Sequence, residues 1–465
     1  MITNIRLSNF RAFQSEVNVR IRPITVLIGR NSAGKSSLIK FLLMLRQTLE
    51  SHSDQFFVTD GAYTQLGTWR DVRHSNSFDR GRRDSVCRFN ISVRTSDLPS
   101  PEIRALWEAT SRASVVRTEG DRLRVNLDFA KEPVRAESGE AQFDILGAVH
   151  YGKAFKYGRH EVQGHLGDVP IFKKRTDNLT RTGFLRFAER TDSLNKLLEG
   201  VGAEQFLETL RQEFLRFRHL SPVREESGSV VQTGSPPPLD VGQRGQFAMP
   251  HLARILSDPT EHERSELITS YAKSVASVDR MAVVRRVSSL LRKIEARNPQ
   301  TGAVCSLGDF GFGVSQCLPL FVQGAMHQQG QLLVVEQPEA QLHPTAQLEV
   351  GSFFADLWKR RGVPSLIETH SGNILLRLRK LISKGELSAA DVSVAFFTVG
   401  TGHRSQRSSV RDLMDEILGE GTPRRGFPAV VVKNLDINSD GSLSAGLPME
   451  FFGADVLDAL EMGAT

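Results

Sequence analysis

The stretch that most constrains this chain is ITVLIGRNSAGKSSLIKFLLML, Ile24 to Leu45. A β-branched apolar run ends in glycine, a short Gly/Ser loop follows, and strong helix formers begin at once. Strand, G-x-x-x-x-G-K-[ST] and helix in that order form a phosphate-binding loop. Gly29 and Gly34 let the backbone of Gly29, Arg30, Asn31, Ser32, Ala33, Gly34, Lys35, Ser36 and Ser37 turn its N–H groups inward at a helix N-terminus. Lys35 then reaches the β- and γ-phosphates of a nucleotide, and the Ser36 hydroxyl suits Mg²⁺. An accidental Gly/Ser turn would not carry both flanks. The expectation is a P-loop in an α/β fold.

At 465 residues the chain exceeds one small core, so roughly two or three lobes are expected. Its 40% apolar and 24% charged composition is that of a globular protein. No run approaches ~18 apolar residues, so no membrane contact is expected. The start, MITNIRLSNFRAF, is alternating and charged, unlike a signal peptide. Cys87, Cys305 and Cys317 fit neither a disulfide framework nor a metal site, which points to a reducing cytoplasm. The net charge of +6 permits nucleic-acid contact without requiring it.

Patterning predicts strands in the first 30 residues and again at 86–94, 122–129 and 143–149. Apolar spacing turns helical over 180–218 and over 260–297, with a Gly/Pro-rich loop at 227–246 between them. Strand–helix alternation returns near 331, and a hairpin-like tail follows. The expected division is an N-terminal head part (1–95), an insertion of strands then helices (96–300), a C-terminal head part (301–420) and a tail (421–465). No segment sustains heptads long enough for coiled-coil arms.

The loop's expected partner is an apolar strand ending in an acid. LLVVE supplies it in Glu336, about 300 residues downstream of Lys35. PSLIETHSGN is a further strand with His370 just past its end, where a ring nitrogen could meet the γ-phosphate. LDINSDGSLSAGL has calcium-loop spacing at its start, but Leu447 stands at the twelfth position where glutamate is needed; a turn is expected.

The ordered set NFRAF, GRNSAGKSS, GFGVSQ, EQPEAQLHP and ETHSGN resembles the ABC-type ATPases of the RecF/SMC/OLD group, in particular compact bacterial members that act beside a separate effector. GTWRDV (67–72), HLSPVREE (219–226), VGQRGQ (241–246) and LPMEFF (447–452) are similar outside the nucleotide core. The resemblance implies a two-lobed P-loop ATPase head, split by the β-plus-helical insertion and closed by a short tail, that binds ATP and Mg²⁺ and pairs head to head in a homodimer or higher homo-oligomer. It implies that the segment 308–320 reaches the partner's γ-phosphate through Gly311, Gly313 and Ser315. The pattern departs from Leu-Ser-Gly-Gly, and a Gly-rich turn capping a helix is the plainer reading. It also implies Glu336 on Mg²⁺, Arg11 near the nucleotide, and Gln337 in the general-base slot. An amide cannot take a proton but can orient water, so slow hydrolysis is expected. Glu339 or His370 assists as base, or Glu339 merely caps the following loop; Leu342, His343 and Pro344 shape that loop. Arg224 and Arg244 are candidates for phosphate or partner contact.

Two functions compete. One is an ATP-gated sensor or scaffold controlling a nuclease or toxin in anti-phage defence, triggered by DNA or a phage product. The other is a DNA repair or recombination ATPase that binds DNA in its ATP-bound form.

Overall fold

The computed structural model describes residues 2–51, 57–74, 85–94, 211, 214–226, 228, 230–232, 237–284, 291–399 and 429–445, and between 112 and 176 the backbone of five strands. The predicted helical stretch 180–210 lies outside these residues, as does LPMEFF.

Three strands open the chain: β1 (Ile2–Ser8), β2 (Val17–Arg20) and β3 (Ile24–Gly29). β1 alternates, burying Thr3, Ile5 and Leu7, while every residue of β3 is buried. Alternation is what a sheet with one covered face needs; a continuous apolar run is what a two-sided core needs. β1 and β2 join β4 (Ser85–Arg94), β5 (Arg112–Glu119), β6 (Leu123–Lys131), β7 (Gln142–Tyr151), β8 (His160–Leu166) and β9 (Val169–Thr176) in an antiparallel sheet of order β2-β1-β4-β7-β6-β5-β8-β9. The predicted strands at 86–94, 122–129 and 143–149 are therefore present. The expected boundary at 95 instead falls inside one continuous sheet, because β4 pairs with β1 on one side and β7 on the other.

β3 belongs to a second sheet with β10 (Arg218–Leu220), β15 (Leu333–Glu336), β16 (Ser365–Glu368), β17 (Val392–Val399) and β18 (Val430–Leu435), in the order β10-β15-β16-β3-β17-β18. All pairs are parallel except β17 with β18. Two expectations change here. Arg218–Leu220 sits in the core sheet and not in the insertion, and the tail supplies its edge strand. A small third sheet comprises β11 (Val230–Gln232), β12 (Asp279–Val284), β13 (Leu291–Arg297) and β14 (Val304–Ser306). The expected helix over 260–297 is overturned in its second half. LRKIEAR is rich in helix formers, yet only Ile294 and Ala296 are fully buried, a spacing of two that its pairing with β12 and β14 exploits.

The parallel sheet is covered on both faces. Leu27, Val334, Leu366 and Ala395 point to the side holding the helix Lys35–Glu50 and the antiparallel sheet. Val26, Val335, Ile367 and Val394 point to the other, packed by Ala248–Ser257, His262–Ala276, Phe312–Met326, Pro344–Arg361 and Gly372–Ser383. This layering brings the C-terminal ends of β15, β16 and β3 side by side, beneath the phosphate-binding loop.

Candidate functional site

β3 ends at Gly29, whose φ of 146° is open to glycine; a Cβ there would lie 2.2 Å from the Phe397 carbonyl oxygen on β17. Ser32 (φ 61°) and Gly34 (φ 93°) complete the turn into the helix at Lys35. The loop is braced from outside by NFRAF: a Cβ at Gly34 would meet the Phe13 ring at 2.9 Å and Ala12 Cβ at 3.1 Å. Arg11, also left-handed at φ 45°, donates its N–H to the Val72 carbonyl at 2.7 Å and accepts from His74 Nδ1 at 2.7 Å. GTWRDV thus has a structural reason. Its Thr68–Asp71 capping box fixes the short helix Trp69–Val72, which holds Arg11 beside the loop.

Inside the loop the buried Lys35 ammonium donates to the carbonyls of Gly29 and Arg30 at 2.8 and 2.9 Å. Burial lowers its pKa against the opposing pull of Glu368 and then Glu339. Ser36 Oγ lies 3.0 and 3.1 Å from the two carboxylate oxygens of Glu368. Glu336 ends the next strand in register with Glu368 and is bonded at 2.7 Å to Nε2 of the buried His219. Burial, then the Glu336 carboxylate, pushes Glu368 up to about 7. A serine hydroxyl beside two crowded carboxylates is a hard-oxygen set that favours a small divalent cation, so these residues fit Mg²⁺. The glycine-lined cradle and the Lys35 amine fit nucleotide phosphates.

Gln337 follows Glu336 with φ 44°, an uncommon conformation for a side chain of this size, and its N–H donates to the Glu368 carbonyl at 2.7 Å. The buried Glu339 carboxylate accepts the His370 N–H at 2.9 Å, which braces the loop carrying His370; burial raises its pKa. The exposed His370 ring has its pKa lowered by burial of part of the ring and by Lys35. His343 caps the helix at Pro344 by accepting from the Thr345 N–H at 3.4 Å, a loop-shaping role.

The helix Phe312–Met326 begins at the exposed Gly311; Gly313 packs over Leu342, and Ser315 is buried. Arg224 is not free for phosphate. It is buried, donates to the Gln316 carbonyl and, at 3.2 Å, to the Glu336 carbonyl, and burial takes its pKa down to about 10. Arg244 pairs with Glu225 at 3.5 Å and its carbonyl accepts the Glu225 N–H, so VGQRGQ and HLSPVREE clamp each other. The calcium-like segment forms a turn closed by Ile437 and Leu443, with Asp436 engaged by Arg20 and Arg22 at 2.8 and 3.0 Å.

Residues 1–79, which carry NFRAF, the loop and GTWRDV, match the AAA ATPase domain family. The fold is an α/β fold in which a parallel sheet carries the phosphate-binding loop. The resemblance to the RecF/SMC/OLD group therefore stands on the ordered motifs, this match and the parallel sheet that gathers them. Among solved structures, an SMC head bound to the C-winged helix domain of ScpA aligns over 94% of this chain and 98% of its own at 11% identity and a TM-score of 0.39. The SMC head domain from Thermotoga maritima aligns over 86% and 95% at 9% identity and 0.33. A Pyrococcus furiosus Smc head with an extended coiled coil, bound to the C-terminal domain of ScpA, aligns over 90% and 98% at 11% and 0.37. No curated protein matches the chain. No helix among the described residues is long and apolar enough to cross a membrane.

Sequence reasoning gave no role to Glu368 or His219. Glu368 stood in plain view two positions before His370, but its partner Ser36 is distant in sequence. His219 opens HLSPVREE, and only the pairing of β10 with β15 sets it beside Glu336.

Proposed function

We propose that this ATPase head binds Mg·ATP, hydrolyses it slowly, and uses the bound state as a switch that pairs two heads and controls a separate effector. The observation that carries the nucleotide reading is the meeting of Lys35 and Ser36 with Glu368 and Glu336, residues drawn together from opposite parts of the chain. Lys35 holds the terminal phosphates. Ser36, Glu336 and Glu368 hold Mg²⁺, which supplies positive charge to the phosphate oxygens. His370, on the loop braced by Glu339, orients toward the γ-phosphate. Gln337 positions water without accepting its proton, which leaves turnover slow.

Head pairing is supported by Gly311, exposed at the start of the helix Phe312–Met326, the helix end whose dipole favours an anion. Control of an effector in anti-phage defence rests on the motif resemblance alone; a DNA-bound repair role is the alternative. Titration calorimetry with ATP and Mg²⁺ tests the core of this reading. Wild-type protein is expected to bind in the micromolar range or tighter, and Lys35→Ala to lose at least about tenfold. Equal affinity in both would overturn it. Salt-sensitive DNA binding that appears only with ATP would favour the repair reading.

A further inference from the structure

We propose that Glu368 is the principal metal-side carboxylate of the site, while Glu336 supports it from the neighbouring strand. The inference deepens the Mg·nucleotide reading and rests on it.

Three observations converge. First, Ser36 is in contact with Glu368 through both carboxylate oxygens, at 3.0 and 3.1 Å. Glu336 instead meets the ring of His219 at 2.7 Å, a buried partner that orients its carboxylate from the far side of β15. Second, Glu368 is the more deeply placed acid, buried on the strand next to β3, whereas Glu336 is only partly buried one strand farther out. Third, the Gln337 N–H donates to the Glu368 carbonyl at 2.7 Å. The turn that presents Gln337 is thereby fixed to the strand end that presents Glu368. The metal side of the site is thus built from one acid on each of two adjacent strands, Glu336 and Glu368, in register.

The test uses the full chain with Mn²⁺ and ADP, so that no turnover is involved. Mn²⁺ is titrated into protein with ADP, and the free-ion electron paramagnetic resonance signal reports the bound fraction. Glu368→Gln is expected to weaken Mn²⁺ binding at least about tenfold, and Glu336→Gln by a clearly smaller factor. ADP affinity without metal should be tighter in Glu368→Gln, since one negative charge leaves the phosphate site. If Glu368→Gln does not fold, Glu368→Asp against Glu336→Asp decides the same point, the charge being kept and drawn back by one methylene. A larger loss at Glu336 than at Glu368 overturns the assignment and leaves the nucleotide reading intact. Failure of the wild type to bind ADP at all overturns both.

Discussion

Gln337 is held at φ 44° between an acid and a proline, with its N–H committed to the Glu368 carbonyl. A side chain in that conformation is strained by ~1–3 kcal/mol, and such strain tends to persist where placement matters. Gln337→Glu keeps the length and the backbone demand and adds a proton acceptor. Phosphate release is therefore expected to rise about tenfold or more; an unchanged rate would mean that the amide does not limit turnover. A second residue-scale prediction concerns His327, which is fully buried with Nδ1 against the Gln323 carbonyl at 2.8 Å; burial lowers its pKa to about 4. The unfolded chain takes up this proton near pH 6.5. The folded chain resists it, so the contribution is whole above pH 6.5 and is lost progressively as pH falls toward 4. The loss is on the order of 3 kcal/mol. Urea midpoints between pH 7 and 4 should fall less steeply in His327→Phe than in the wild type. At this scale the sequence was partly legible. Lys35, Ser36, Glu336 and His370 announce themselves by local pattern, because each proposed role follows from the strand or turn it sits on. Glu368 and His219 acquire theirs from strand order, which no local pattern carries.

The element that tolerates least change is the turn from β3 into the helix at Lys35. A methyl group at Gly29 would collide with the Phe397 carbonyl oxygen at 2.2 Å, on the strand that pairs with β3 throughout its length. Gly29→Ala is expected to cost roughly 2 kcal/mol or more in chemical denaturation, and to weaken nucleotide binding. Stability within a few tenths of a kcal/mol of wild type would show that β17 yields there. The arrangement around this turn explains why several outer motifs looked family-like. GTWRDV fixes Arg11, HLSPVREE delivers His219 and Arg224, and VGQRGQ clamps the segment behind them. Strands with period-two burial such as β1 were readable; β13 was not, since its polar faces are filled with helix formers and its pairing decides.

At the scale of the molecule, the parallel sheet is the organising layer. It takes one strand from near residue 24, one from 218, two from 333 and 365, one from 392 and its antiparallel edge from 430. Composition changes along the chain mark the insertion only roughly, because Arg218–Leu220 is too short to read as a strand and is defined by its partner β15. Arg224 ties the sheet to the helix that starts at Gly311, donating to carbonyls of both Glu336 and Gln316. Occupancy at the nucleotide site is thereby mechanically close to the surface proposed to meet a second head. The measurement that bears most directly on this account is light scattering with and without Mg·ATP, with phosphate release followed in the same samples. The account predicts association that depends on or is strengthened by Mg·ATP, and release slow enough for the assembly to outlast many minutes. A monomer in both conditions with no phosphate released would contradict it.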